Sequence, residues 1–345
     1  MKPFALSLLA AAVLAGAAAN AQNAALPGVT IYATGGTIAG SSASSRDTTN
    51  YAPGQLGVQT LIDAVPAIKD VARVSGEQIA NVRSSDVDSK VLLHLAKTIN
   101  AKLAEPGTHG VVVTHGTDTL AESAFFLDLT VKSPKPVVVV GAMRPATAIS
   151  ADGPMNLLQA VTLAASKEAE GRGTLVTLND RIGSAFYTIK THSSAVDTFK
   201  AAEQGYLGAF AGSRPRFWYE PARPTDKPFF DVGGLQELPK VEILYGYQDQ
   251  DTSLLDAAIK NGARGIVIDA SGNGSLNTLL SNRVQELDKQ DFPVIVATRT
   301  NSGFVTTRTE GIGSGAYSAS KARWLLTLAL AKGDSIERIK RYFNS

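Results

Sequence analysis

The sequence predicts an α/β protein with a larger N-terminal domain on a parallel sheet and a smaller C-terminal α/β domain. Short apolar, β-branched segments alternate with amphipathic segments of helical length from residue 29 to residue 178, and the alternation resumes at residue 241. Between the two regions, residues 212–239 hold five prolines with aromatic residues among them, which is the composition of a domain boundary. We therefore expect an N-terminal domain over 22–211, a linker over 212–239 and a C-terminal domain over 240–345.

Residues 1–21 have the pattern of a secretory signal. Lys2 precedes an apolar run over 4–14, and small residues lead to Ala21, after which we expect cleavage and an exported, periplasmic mature chain. The run is too short to span a bilayer and no later segment is longer, so the mature form is not expected in a membrane. The absence of cysteine excludes disulfides, thiolate nucleophiles and cysteine metal sites. A formal net charge of +2 gives nucleic-acid binding no support.

The first strand, over 29–33, leads into Gly35, Gly36 and Thr37. In open α/β sheets ligands bind beyond the carboxyl ends of the strands, and glycines let the backbone turn there and approach a ligand closely. This position favours Thr37 as a reactive residue. The alternative is a hydroxyl that only stabilises a turn or caps a helix.

A long polar loop follows over 41–54, with Tyr51 as its one aromatic residue. Loops of this length without secondary structure are usually functional or disordered. A phenol on a loop next to a strand-end hydroxyl favours a lid that closes over substrate and excludes water. The alternative is a surface loop whose tyrosine packs down.

The strand over 111–114 runs into a second Gly-Thr pair, at Gly116 and Thr117. Two strand ends with the same pattern favour a shared site. The alternative is that Thr117, like Thr37, only stabilises a turn or caps a helix. Ser84, Ser85 and the pair Gly141-Ala142 also follow strands and are expected at this edge. The remaining predicted helices are 57–64, 88–103, 120–131, 155–169, 253–261, 275–288 and 319–331, and the remaining strands are 78–82, 136–140, 174–178, 241–246, 265–269 and 293–298.

The motifs point to hydroxyl chemistry. The glycine-rich turns match neither a dinucleotide-binding nor a Walker sequence, there is no G-x-S-x-G elbow, and the four histidines lack metal-ligand spacing, so we expect no metal and no cofactor. A threonine is a poor nucleophile until a neighbour accepts its proton. Asp118, beside Thr117, could hold a substrate ammonium or organise proton transfer through a lysine. Lys190 is a candidate for that lysine, unless it is a surface residue.

Two motifs carry a family resemblance, at 33–40 (Ala-Thr-Gly-Gly-Thr-Ile-Ala-Gly) and at 115–119 (His-Gly-Thr-Asp-Thr). Together they resemble the signatures of the bacterial type II L-asparaginases, including the glutaminase-asparaginases, and the similarity runs over nearly all of 29–331. Supporting stretches lie at 140–145, 150–154, 238–241 and 272–274.

The resemblance implies a role for each matching residue. Thr37 would be the nucleophile with Tyr51 as its lid partner, and Thr117, Asp118 and Lys190 would form a second polar triad. Family mechanisms differ on which triad activates the attack. The resemblance further implies a homotetramer with a site completed across a subunit interface. Substrate would contact Ser84, Ser85, Asp118 and the Ala142 carbonyl, and Asn273, Ser275 and Glu310 would come from the neighbouring subunit.

The resemblance has three departures. Ser85 stands where many members have glutamine, and Ser275 where strict asparaginases often have asparagine. The stretch over 311–321 is shorter than is typical. The expected activity is hydrolysis of L-asparagine, and also of L-glutamine, to the acid and ammonia through an acyl-enzyme. Two alternatives remain: a periplasmic amino-acid-binding protein, which would turn over nothing, and an esterase or peptidase acting on acyl substrates without an α-ammonium.

Overall fold

The computed structural model of the chain describes residues 26–219 and 227–344. The expected signal over 1–21 lies outside these residues. The strands are β1 Gly28–Gly35, β2 Arg73–Val82, β3 Thr108–Thr114, β4 Val137–Val140, β5 Thr174–Leu178, β6 Arg181–Ser184, β7 Ile189–Lys190, β8 Phe199–Lys200, β9 Gly208–Ala211, β10 Arg214–Phe217, β11 Val241–Tyr245, β12 Gly265–Ala270, β13 Val294–Thr298 and β14 Ile312–Gly313. The α-helices are α1 Val58–Asp63, α2 Ile68–Val71, α3 Ser89–Ala104, α4 Leu120–Thr130, α5 Gly153–Ala164, α6 Ser253–Lys260, α7 Thr278–Asp288, α8 Ala319–Lys332 and α9 Ile336–Asn344.

The large sheet has eight strands in the order β10-β9-β6-β5-β4-β3-β1-β2. The strands from β5 to β2 pair in parallel, and β6, β9 and β10 extend the other edge in antiparallel pairing. Because alternate side chains of a strand point to opposite faces, Val111 and Val113 join one buried cluster and Val112 joins another. Burial of both faces explains why these strands are continuously apolar and confirms the predicted parallel sheet.

The small domain has a four-stranded parallel sheet in the order β11-β12-β13-β14. Helices α6 and α7 cover one face, where Leu255 and Val284 are buried. Helix α8 covers the other face and packs on α4 of the large domain, with the rings of Phe126 and Trp324 5.0 Å apart. One apolar cluster therefore runs through both domains. The predicted class, a larger and a smaller α/β domain, is confirmed.

Residues 181–217 differ most from the sequence predictions. The strands there are short and antiparallel, and β6 pairs with β9 across more than twenty residues of chain, so the local pattern did not predict them. Strand β10 lies inside the stretch predicted as a linker. The helix predicted over 155–169 ends at Ala164 and is followed by a separate 3-10 turn at Lys167–Ala169. The helix predicted from 275 begins at Thr278, because the Asn277 side chain caps it by accepting from the Leu280 N–H.

The helices are short relative to the thickness of a bilayer, which requires about 20 apolar residues. Across 26–219 and 227–344, no helix is long and apolar enough to cross a membrane.

Candidate active site

The carboxyl ends of β1 and β3 lie side by side, because the two strands are paired through Ala33 and Thr114. Beyond the strands the two backbones touch: a Cβ atom at position 36 would lie 2.2 Å from the Cα atom of Gly116. Gly36 also has a φ of 80°, which favours glycine. Glycine at 36 and 116 therefore lets the chain bring Thr37 and Thr117, the next residue of each, to the same edge.

Thr37 begins a 3-10 turn at Thr37–Ala39 and is 5% exposed. Its Oγ1 lies 2.6 Å from the hydroxyl oxygen of Tyr51, at hydrogen-bond distance. Either hydroxyl can donate, so the pair can pass a proton in either direction.

The loop over 41–54 is closed over Thr37. Ser41 and Ala52 exchange two backbone hydrogen bonds of 2.9 Å each, the Gly54 N–H donates to the Gly36 carbonyl at 3.1 Å, and the Ile149 N–H donates to the Ser45 carbonyl at 2.7 Å. These contacts fix both ends of the loop, and Tyr51 lies between them. The loop therefore covers Thr37 and holds Tyr51 beside it.

Replacing Gly40 with alanine is expected to separate Tyr51 from Thr37. A Cβ atom at position 40 would lie 2.9 Å from the Tyr51 ring and 2.9 Å from the Thr37 carbonyl oxygen. The φ of −87° suits any residue, so these two close contacts, and no backbone strain, disturb the pairing of Tyr51 with Thr37. We expect kcat to fall by at least about tenfold, the scale of a small misplacement of a reacting group. The measurement is steady-state ammonia release. Gly57→Ala, where nothing lies within 4 Å of the added atom, is the control, and equal activities of the two variants would contradict the role of Tyr51.

Thr117, Asp118 and Lys190 form a second polar group at the same edge. The Lys190 ammonium donates to Thr117 Oγ1 at 3.0 Å and to Asp118 Oδ1 at 2.6 Å. The Lys190 side chain is 15% exposed and that of Asp118 is 78% exposed. One carboxylate therefore faces solvent beside a nearly buried cation, and its second oxygen is open to another cationic group.

The ends of β2 and β4 complete this edge. Ser84 begins a 3-10 turn at Ser84–Asp86, and its Cβ would be 2.8 Å from a Cβ at Gly116, while its carbonyl accepts from Thr119 Oγ1 at 2.7 Å. A Cβ at Gly141 would lie 3.1 Å from the Thr117 methyl, so the buried Ala142 follows directly beside the second polar group. Ser85 is exposed next to Ser84.

Asp152 is a residue that the sequence reasoning missed. Its carboxylate accepts from the Met143 and Arg144 N–H groups, both at 2.9 Å, and from the Asn156 side chain at 3.1 Å. It therefore fixes the loop that follows Ala142. Its place just before the Gly-Pro that opens α5 was the available signal, because acidic residues are favoured at helix N-termini.

His115 is fully buried at the end of β3, directly before Gly116. Its Nδ1 donates to the Gly116 carbonyl at 2.7 Å, and its Nε2 has no partner among the described residues. Burial lowers the pKa of its imidazole from 6.5 to about 4, so the ring is neutral at neutral pH.

This histidine should make the fold acid-sensitive. Since the unfolded chain takes up a proton near pH 6.5 and the folded chain near pH 4, stability is fully present above pH 6.5 and falls as the pH drops to 4, by about 3 kcal/mol for a shift of this size. Urea unfolding at several pH values measures the change. His115→Asn, which can keep the bond to Gly116, should flatten the curve between these pH values, and His94→Asn on the exposed face of α3 should not. Matching curves for the two variants would contradict this assignment.

Asn273, Ser275 and Glu310 lie apart from these groups, on the small domain. Arg308 links two of them: it donates to the Asn273 carbonyl at 3.2 Å and pairs with Glu310 at 2.6 Å. Hydrogen bonds from Thr309 and Arg308 lower the pKa of the Glu310 carboxyl despite its burial. Within 26–219 and 227–344, none of the three forms a hydrogen bond or ion pair with the groups around Thr37. Within the described part of a single chain, no such bond therefore ties them to the groups around Thr37.

A metal site needs several histidine or acidic side chains close together. In the part of the chain that the structure describes, no group of three or more histidine, aspartate or glutamate side chains is arranged to hold a metal ion.

Two family models cover most of the chain. The model described as Asparaginase, N-terminal matches residues 28–223, and that described as Glutaminase/Asparaginase C-terminal domain matches residues 240–343. The chain belongs to the asparaginase family. This confirms the resemblance drawn from the two motifs. As a member of that family the chain is an amidohydrolase.

Individual asparaginases are similar to this chain along almost its full length. L-asparaginase 2 of Bacillus subtilis is 50% identical over 92% of this chain and 86% of its own. A protein of Haemophilus influenzae named Probable L-asparaginase periplasmic is 43% identical over 98% of this chain and 99% of its own. The crystal structure of a Probable Cytoplasmic L-asparaginase from Campylobacter jejuni superposes with a TM-score of 0.88 and 44% identity, covering 92% of this chain and 99% of that one.

Proposed function

We propose that this asparaginase hydrolyses L-asparagine to L-aspartate and ammonia with Thr37 as the nucleophile. The observation that carries the proposal is the pair of polar groups at one sheet edge: Thr37 hydrogen-bonded to Tyr51, and Lys190 bonded to Thr117 and Asp118. The relatives' names, L-asparaginase, supply the substrate.

In the proposed mechanism Thr37 Oγ1 attacks the side-chain amide carbon of asparagine. Its proton passes either to Tyr51 or towards the group of Thr117 and Lys190, and these two routes remain alternatives. The oxyanion formed by this attack needs an N–H donor. The N–H of Thr117 donates to no acceptor in residues 26–219 or 227–344, so it is available for this role. Collapse breaks the C–N bond and the nitrogen leaves as ammonia with the transferred proton. Water then hydrolyses the Thr37 ester and restores the hydroxyl.

The α-groups of the substrate are assigned to the residues around this centre. The free carboxylate oxygen of Asp118 suits an α-ammonium, and the hydroxyls of Ser84 and Ser85 suit an α-carboxylate. The backbone carbonyl of Ala142 would accept from the side-chain amide. This arrangement predicts that the enzyme recognises free amino acids.

Glutamine is proposed as a second substrate. It is one methylene longer than asparagine, and a pocket shaped for one of the two typically discriminates by only about 1–3 kcal/mol. Serine at 85 and at 275 leaves more room than the glutamine and asparagine of many family members. We therefore propose a glutamine kcat/KM within about a hundredfold of that for asparagine.

Ser275→Asn is expected to lower kcat/KM for glutamine more than for asparagine, because the larger side chain reduces the space for the extra methylene. Both constants are measured by ammonia release. Ser213→Asn, at an exposed serine in the turn between β9 and β10, is the control and should change neither. Equal losses for both substrates in Ser275→Asn would reject the argument from pocket volume.

A homotetramer is proposed as the active assembly. Asn273, Ser275 and Glu310 lie on the small domain, apart from Thr37, so a second chain would have to supply them to a site. Exposed apolar side chains near the edge strand β11 support such contacts: Ile243, Tyr245, Tyr247, Leu254 and Leu279. Light scattering on the purified chain tests the assembly, and a fully active monomer would reject it.

Export to the periplasm is proposed from the pattern of residues 1–21, with support from the periplasmic name of the Haemophilus relative. The name of the Campylobacter structure places that protein in the cytoplasm. Expression of the full chain followed by N-terminal sequencing of the periplasmic fraction tests export. The proposal expects a mature chain that begins at Gln22.

Ammonia release tests the function against its alternatives. Asparagine and glutamine are supplied in a concentration series, beside an acyl ester without an α-ammonium, whose hydrolysis is followed by the alcohol that it releases. The proposal expects saturable ammonia release from asparagine and no turnover of the ester. Binding of asparagine without ammonia release would identify a binding protein, and preferred turnover of the ester would identify an esterase.

A further inference from the structure

Lys321 is a buried lysine that belongs to neither polar group of the active site. It lies in the first turn of α8 on the small domain and is 2% exposed. Its Nζ donates to the backbone carbonyls of Phe186 at 2.7 Å and Thr188 at 2.8 Å, both in the large domain. A lysine is almost never fully buried unless it is paired, so its bonds to this segment require an explanation.

The two carbonyls belong to the turn that leads into Lys190. Two N–H groups of this turn, those of Tyr187 and Thr188, donate to the Ser184 carbonyl at 3.2 and 2.9 Å. Its two carbonyls accept from Lys321. Strand β7 begins directly after Thr188, and Lys190 is its second residue. Lys321 therefore holds the backbone two residues before Lys190.

Few charged groups face Lys321. Burial lowers the pKa of its ammonium to about 7, and the charge of Asp128 on α4 opposes this shift. The Phe125 ring of α4 lies 5.8 Å from Nζ. Tyr317, ahead of α8, and Glu203, after β8, line a pocket of about 50 Å³ that Lys321 also borders. The surroundings give Nζ no carboxylate at bonding distance among the described residues, so its hydrogen bonds to the turn are its main polar contacts.

We propose that Lys321 is a positioning residue that holds the turn at 186–188 so that the Lys190 ammonium reaches Thr117 and Asp118. The proposal rests on the proposed role of Lys190 in catalysis. In this arrangement the small domain supports the active site of its own chain through a backbone contact and touches no reacting atom. Loss of the two hydrogen bonds frees the turn, and Lys190 then no longer keeps both partners at once.

A double-mutant cycle on the full-length enzyme tests the proposal. Lys321→Met, which keeps the length of the side chain but has no donor, is expected to lower kcat for asparagine by at least about tenfold. In the double variant with Lys190→Met, kcat should be no lower than in Lys190→Met alone, because a residue that acts through Lys190 has no effect once Lys190 is gone. A purely structural role would instead leave kcat per folded enzyme unchanged. Should Lys321→Met fail to fold, Lys321→Gln takes its place in the same cycle. Its amide is one bond shorter than the lysine side chain and cannot keep both hydrogen bonds, so a loss of kcat is again expected, and again none beyond that of Lys190→Met.

Lys135→Met is the matched control. Lys135 also donates to two backbone carbonyls, those of Leu103 at 2.7 Å and Glu105 at 3.0 Å, but these precede β3, at the end of the sheet opposite to the site. The kcat of Lys135→Met should stay at the parent value. A normal kcat in the Lys321 variant, or losses that multiply in the double variant, would overturn the proposal. A fully active Lys190→Met would instead reject the proposed role of Lys190, so the two failures are distinguishable.

Discussion

Replacing Thr37 with alanine is expected to lower kcat for asparagine by at least about 10⁴-fold, because the covalent path is lost with the nucleophile. The fold should be intact. The Thr37 hydroxyl bonds only to Tyr51 among the described residues, and alanine suits its 3-10 turn, so stability should change little. The measurements are ammonia release and thermal unfolding of the purified variant.

Two variants control this result. Thr37→Ser keeps a hydroxyl and should retain part of the activity. Thr30→Ala, on the strand β1 that leads to Thr37, removes a similar contact between two hydroxyls, that of Thr30 with Ser75 at 3.0 Å, and should remain fully active. Near-normal turnover in Thr37→Ala would show that another residue attacks the amide.

Asp118→Asn is expected to reduce kcat/KM for asparagine by about 10²-fold or more, the lower part of the 2–5 kcal/mol range for removing one partner of a buried charge pair. Asp118 is 78% exposed in the single chain, so the full effect depends on bound substrate excluding water from the pair. The change also removes the negative charge that faces Lys190 at 2.6 Å.

The ammonium contact can be separated from the effect on Lys190 by the choice of substrate. Succinamate carries the same amide and carboxylate as asparagine but no α-ammonium. If Asp118 binds the ammonium, the loss in Asp118→Asn should be larger for asparagine than for succinamate. Glu105→Gln, in an exposed pair with Lys102 at 2.7 Å, is the matched control and should keep its activity. Equal losses on both substrates would show that Asp118 acts only by pairing with Lys190 and does not bind the ammonium.

Much of the site follows from the sequence because it depends on local rules. Continuous apolar strands indicated a parallel sheet, and parallel strands end at one edge, so the pattern of residues was enough to place Thr37 and Thr117 together. Glycine at 36 and 116 was the local signal for the close approach of the two backbones. Tyr51 could be predicted because it is the only aromatic residue in a long polar loop.

Other features depend on distant partners and carry no local signal. The strands over 181–217 are only two to four residues long, and β6 pairs with β9 more than twenty residues further along the chain, so propensity gave no indication of them. The local sequence carries no signal for the burial of Lys321, because that burial arises only where α8 packs between the small sheet and α4. The pairing of Lys190 with Thr117 spans 73 positions of sequence, and the family resemblance, rather than the residue pattern, predicted it.

Trapping the covalent intermediate is the most direct test of the central claim that Thr37 attacks the side-chain amide. Enzyme and asparagine are mixed, quenched in acid within milliseconds and analysed by intact mass and peptide mapping. The account predicts an added aspartyl group on the peptide that contains Thr37, present during turnover and absent from Thr37→Ala. Turnover with that peptide unmodified and the aspartyl group on another residue, such as Thr117, would contradict it.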